Sequence, residues 1–214
     1  MIGTERVIPI VLWLALLGYA LMLAPPAASD TFDQALAMLL LDSGRADPIA
    51  IAIFNLLGVL PAAFMALILF DTGRPNPWPF ALGAFVLGGF VLLPYLALRD
   101  IGTPLERAPR PFQRMIGSRT AGATFLTLAV VLIGFAAVGG SPKAFAAQLQ
   151  DSKLTAVMSA DLIAMTIALH LAAATDRRRR AIALDPPAAM AVRLPLLGPL
   201  LYLALRADPP DEAR

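Results

Sequence analysis

Apolar residues run along this chain in long blocks, separated by short joints rich in proline, glycine and arginine. A membrane-spanning helix needs roughly 20 mainly apolar residues, and five blocks meet that length: about 7–24, 49–70, 80–98, 120–138 and 154–174. A sixth, about 188–205, is broken by Arg193, Pro195, Gly198 and Pro199, and reads as a short final span or a re-entrant segment. Between the first two blocks, 31–43 has Thr31 as a capping residue, an apolar face and a stop at Gly44. That pattern predicts an interfacial helix. The second block ends at FDTGRPNPWPF, where Gly73 and three prolines force a tight joint and Trp78 sits at interfacial depth. The second and third spans are therefore expected to run antiparallel. The fold class this predicts is all-α: one polytopic helical membrane bundle of five spans, a short or re-entrant sixth segment and one interfacial helix.

Composition supports the membrane setting. Of 214 residues, 58% are hydrophobic and 15% charged, and the mean hydropathy is +0.73, which is too apolar for an ordinary soluble domain. The absence of cysteine removes disulfides, thiolate metal sites and cysteine nucleophiles. One histidine is too few for a histidine-rich di-iron centre, a Ser-His-Asp site has no recognisable spacing, and no phosphate-binding glycine loop follows a strand. No basic face interleaved with aromatics appears, so nucleic acid is not an expected partner.

The net charge of +2 matters less than its placement. With six spans, the odd-numbered loops and Arg193 carry 11 basic residues, including Arg99, Arg107, Arg110, Arg114, Arg119 and Arg177 to Arg180, against 6 elsewhere. A re-entrant last segment makes the split 13 to 4. The positive-inside rule then puts the odd loops in the cytoplasm of a bacterial inner membrane and the N-terminus outside. The first block ends in APPAAS, which resembles a signal-peptidase site, but its apolar run is longer than usual; an uncleaved first helix is the preferred reading.

Within the apolar blocks, Asp161 is the main candidate, because an ionisable group inside the membrane is costly and functional by default. His170 lies nine positions further on. At 100° per residue the two point to opposite faces, about 13 Å apart along the axis, so they cannot pair within one helix. His170 reads as interfacial, with a pigment or haem ligand role as the sharper alternative. Asn55, just ahead of Gly58 and Pro61, is the expected hydrogen-bonding partner of Asp161. The binding candidates are thus Asn55, Asp161 and His170. Only Asp161 is a candidate catalytic group, and no metal site is expected.

Two distant stretches share the run YLALR, LLPYLALRD at 92–100 and LLYLALRAD at 200–208. Interfacial anchoring by tyrosine and arginine accounts for both, and an internal repeat is the less favoured reading. With Phe54, Asn55, Leu56, Gly58 and Pro61, with Trp78, Pro79 and Phe80, with Pro94, Tyr95 and Arg99, and with Gly198, Pro199, Tyr202 and Arg206, the chain resembles a family of multi-spanning membrane proteins of cyanobacteria and plastids. The pattern is FNLxG, WPF, LLPYLALR and LGPxLYLxLR, with a membrane aspartate that Asp161 matches. The arginine run after Asp161 departs from it. The resemblance implies a membrane setting, with no established activity attached.

Three functions follow. The first is a non-enzymatic accessory or assembly component of a membrane complex, in a photosynthetic setting if the resemblance holds, with lipids and other membrane proteins as partners. The second is a membrane enzyme acting on an isoprenoid, carotenoid or lipid with Asp161 as acid or base. The third is a small proton-coupled carrier.

Overall fold

The computed structural model describes residues 4–100, 109–182 and 185–208. Among them, all regular structure is helical. Four helices are long and apolar enough to cross a membrane: α1 (Thr4–Gly18), extended by a π-helical turn at Tyr19–Leu23, α3 (Pro48–Ile68), α7 (Arg119–Gly139) and α9 (Lys153–Arg179). Shorter helices fill the joints: α2 (Thr31–Leu39), α4 (Pro77–Leu87), α5 (Gly89–Leu98), α6 (Pro111–Ile116), α8 (Pro142–Asp151), α10 (Pro186–Ala191) and α11 (Leu197–Leu205).

The expected third span, 80–98, is not one helix. Its chain turns at Gly88, with φ +51° and ψ −131°, a backbone conformation that only glycine adopts without strain. The two halves, α4 and α5, then fold back on each other. Phe80 packs on Tyr95 with ring centroids 5.1 Å apart, and Gly83 faces Val91. At the base, Asp100 donates its backbone N–H to the Arg74 carbonyl at 2.7 Å, and Gly73 lies so close to Asp100 that a Cβ would overlap its carbonyl. The hairpin therefore enters and leaves at one end of the bundle. Eleven residues in α4 reach about 16 Å at 1.5 Å per residue, roughly half a bilayer core.

The segment 188–205 is likewise not one helix but a second, smaller hairpin. Its outgoing arm α10 has six residues, its returning arm α11 has nine, and Leu196 before α11 has φ +61°. Gly198 sits against the Val192 backbone where the arms meet.

The molecule is built twice over. Each half runs long helix, short helix, long helix, hairpin: α1, α2, α3 and α4–α5, then α7, α8, α9 and α10–α11. The register of the second long helix is the same in both. Its N-cap, Asp47 or Ser152, precedes a carboxylate, Asp71 or Asp176, by 24 positions. Packing repeats too: α1 lies on α5 as α7 lies on α11, and α3 and α9 pack on each other at the centre. Trp13 donates its indole N–H to the Phe90 carbonyl at 3.0 Å, tying α1 to the first hairpin, and Gly122 of α7 meets the Leu203 backbone of the second.

This plan redistributes the charges. One end carries Arg6, Arg74, Arg99, Arg110, Arg114, Arg119, Arg177 to Arg180 and Arg206. The N-terminal part of α1 lies there as well, with Glu5 paired to Arg178, and not at the opposite end as five spans require. Arg45, Lys143 and Lys153 lie at the other end with α2 and α8. Arg193 lies in the turn of the second hairpin, and Arg107 and Arg214 lie outside the described residues. The helix expected at the interface, α2, is shorter than expected, stopping at Leu39, and Asp30 takes the cap position in place of Thr31. It is tied to the bundle where Ser152 donates to Gln34 Oε1 at 2.8 Å.

Candidate functional site

Asp161 lies in α9 about eight residues from its start, or about 12 Å along the axis, and is 5% exposed. Its partner comes from the first hairpin. The backbone N–H of Gly89, the first residue of α5, donates to Asp161 Oδ1 at 2.9 Å. Asp161 thus caps a helix to which it does not belong, and its charge faces the positive end of the α5 dipole. A Cβ on Gly88 would overlap Asp161 Oδ2, and one on Gly89 would overlap Oδ1. The glycine pair is therefore there to let a carboxylate approach the hairpin tip. No cationic side chain neutralises Asp161 among the described residues.

Asn55 is not its hydrogen-bonding partner. The amide of Asn55 donates to the Met38 carbonyl of α2 and the Ile51 carbonyl of its own helix, both at 2.9 Å. The Met38 carbonyl at the end of α2 also accepts from Leu41 N–H at 3.3 Å, and a carbonyl oxygen has a second lone pair for the Asn55 amide. Asn55 and Asp161 nevertheless face one cavity of about 510 Å³, with Phe54, Gly58, Phe85 and Phe90 among its walls. The lining is mostly apolar, and among the described residues the carboxylate is the only ionisable group in it.

His170 is well separated from Asp161, as the helical geometry requires. It is half-buried, pairs with the backbone of Leu194, and lines a different cavity beside the second hairpin.

Two further carboxylates carry most of the polar structure, and the sequence reading passed over both. Asp71 accepts from Tyr95 Oη at 3.0 Å, Arg99 at 2.9 Å and Arg179 at 2.8 Å. Asp176 accepts from Tyr202 Oη at 2.8 Å, Arg206 at 2.8 Å and Arg180 at 3.0 Å. The two YLALR runs supply the tyrosine and the arginine to both, so the echo is a repeated clamp and not generic anchoring. A tyrosine and an arginine four positions apart share one helix face, and each hairpin uses that face to lock its returning arm onto the preceding long helix. The signal was the recurrence of Tyr-x-x-x-Arg together with a lone Asp at the end of each preceding helix.

No protein-family model, curated protein or solved structure matches the chain. The chemistry open to it is therefore read from these residues. The Asp71 and Asp176 clusters are ion pairs with their acceptors satisfied and hold the ends together. Asp161, uncompensated and facing an apolar cavity, is the group with capacity left for a ligand.

Proposed function

We propose that this chain is an integral protein of a bacterial cytoplasmic membrane, with four spans and two re-entrant helical hairpins, that takes an elongated apolar molecule bearing a polar group into the Asp161 cavity. Asp161 acts there as hydrogen-bond acceptor and as proton donor or acceptor, in the manner of an enzyme on an isoprenoid or other lipid. One observation carries this: a carboxylate without a counter-ion is held at the hairpin tip against a mostly apolar cavity. Carboxylates serve as general acids and bases when their surroundings disfavour permanent charge. The aromatic walls supply apolar contact for a ligand chain.

The resemblance to the family of cyanobacteria and plastids is compatible with that substrate class. A partner protein is not needed to explain the exposed apolar faces of α1 and α7, since lipid tails cover such faces. The basic end is oriented to the cytoplasm, the side where arginine-rich segments stay.

Asp161→Asn is the decisive variant, because an amide oxygen can still accept from Gly89 N–H while the exchangeable proton is lost. We expect cells carrying Asp161→Asn to accumulate the lipid or pigment that the wild type converts, with the protein still folded and membrane-inserted. Identical lipid and pigment profiles in cells with wild type, with the variant and with no copy of the protein would overturn the proposal.

A further inference from the structure

The two halves are most informative where they differ. In the frame set by the repeated carboxylates, Met65, Ile68, Leu69 and Thr72 precede or follow Asp71 as His170, Ala173, Ala174 and Arg177 precede or follow Asp176. In the first half the three apolar positions are closed: Met65, Ile68 and Leu69 are 4%, 0% and 2% exposed. In the second half two large side chains become alanines, and the flanking pair becomes a histidine and an arginine. The outgoing arm of the hairpin also shrinks, from eleven residues in α4 to six in α10. The space left is a cavity of about 410 Å³, lined by His170, Ala173, Ala174, Arg177, Arg193 and Tyr202 among others.

Its polar lining is basic. Arg177 lies one residue beyond Asp176, at the arginine-rich end. Arg193 comes from the turn after α10 and is exposed. Neither guanidinium enters an ion pair among the described residues, in contrast to Arg178, Arg179, Arg180 and Arg206 around them. The nearby carboxylate of Asp176 is already taken by Arg180, Arg206 and Tyr202, and Asp185 is turned to the N–H of Ala188. His170 lies six residues, or about 9 Å, deeper than Asp176. Arg177 thus stands at the arginine-rich end of the cavity, while Arg193, next to Leu194 whose backbone pairs with His170, stands about two helical turns deeper, with the alanines between them.

We propose that this cavity binds a phosphate group, Arg177 reaching its oxygens from the arginine-rich end and Arg193 from the hairpin turn, with His170 beside Arg193. Arginine suits phosphate because its planar donor array meets two oxygens at once. Basic pockets between helices on the cytoplasmic side of membrane proteins hold anionic headgroups in this way. The alanine face of α9 leaves room for an acyl chain above the phosphate. The site is separate from the Asp161 cavity and neither needs the other.

The test uses the full chain in dodecyl maltoside, with bound molecules counted by native mass spectrometry. Dioleoyl phosphatidylglycerol is the first probe, dioleoyl phosphatidylcholine the zwitterionic control and inorganic phosphate the soluble competitor. We expect phosphatidylglycerol to bind in preference to phosphatidylcholine. Arg177→Gln and Arg193→Gln should each weaken it about fivefold, the effect of one arginine near an anionic lipid. Arg74→Gln, an exposed arginine of the same end outside the cavity, should leave it unchanged. Displacement by millimolar inorganic phosphate would support the phosphate site and assign it to a soluble ligand; resistance would assign it to a lipid. Equal lipid binding by wild type, Arg177→Gln and Arg193→Gln, or an equal loss in Arg74→Gln, would overturn the proposal. Arg193 is exposed, so Arg193→Gln is expected to melt as wild type, and its result does not depend on a folding defect.

Discussion

A carboxylate at the centre of a spanning helix costs about 2.5–3.5 kcal/mol on insertion scales, and Asp161 meets that cost with one N–H bond and the end of a helix dipole. Both depend on glycine. An L-residue with positive φ costs about 1–2 kcal/mol, and at Gly88 the added methyl would also strike the carboxylate. Gly88→Ala is therefore expected to lower the melting temperature in detergent by at least about 3–6 °C, the shift that 1–2 kcal/mol produces in a chain of this size. Gly58→Ala is the contrast. A Cβ there meets nothing within 4 Å, so the variant should melt as wild type while narrowing the Asp161 cavity and weakening lipid retention. Asn55→Leu should loosen α2, by about 1 kcal/mol for a lost side-chain bond, read as faster amide exchange in 31–39 with α3 unaffected.

At the scale of elements, the two clamps do the same work with different reserves. Tyr95→Phe and Tyr202→Phe each remove one hydrogen bond to a carboxylate, worth about 1.5–3 kcal/mol, and should destabilise to a similar extent. The arginines should differ. Each carboxylate keeps a second arginine, Arg180 or Arg179, if the first is lost, but Arg206 is fully buried at its side chain and also donates to the carbonyls of Ala66 and Gly117, whereas Arg99 is partly exposed. Breaking a buried pair from one side costs about 3–5 kcal/mol. Arg206→Met should therefore reduce folded yield sharply, and Arg99→Met much less, as compared by size-exclusion profiles of matched preparations. Equal effects would mean that the two halves are closer in energy than their bonds imply.

For the whole molecule, the hairpins decide the topology. Because 77–98 returns to the end at which it starts, α1 begins at the same end as the arginine-rich segments, and α2 and α8 share the opposite end. The chain has no cysteine, so single introduced cysteines report without background. In the proposed orientation, Arg74→Cys and Arg110→Cys should be labelled by a membrane-impermeant maleimide from the cytoplasmic side only, and Gln34→Cys and Lys143→Cys from the other side only. Labelling of Arg110→Cys and Lys143→Cys from one side would contradict the four-span plan.

The sequence by itself determined what depends on local composition. Long apolar runs set the positions of α1, α3, α7 and α9 to within a few residues, and the helical angle alone separated Asp161 from His170. It also singled out Asp161, because a charge in an apolar run is conspicuous wherever the run goes. Only the tertiary structure decided where the chain turns back. An apolar block of the right length reads as a span whether it crosses or folds at Gly88, since the turn is made by two glycines that helix packing would equally explain. Asn55 was assigned the wrong partner for a related reason: a hydrogen bond between helices depends on which acceptor the packing brings within reach, and no local pattern records that. The repeated Tyr-x-x-x-Arg was visible in the chain. Its meaning waited on Asp71 and Asp176, each brought to its clamp by a hairpin.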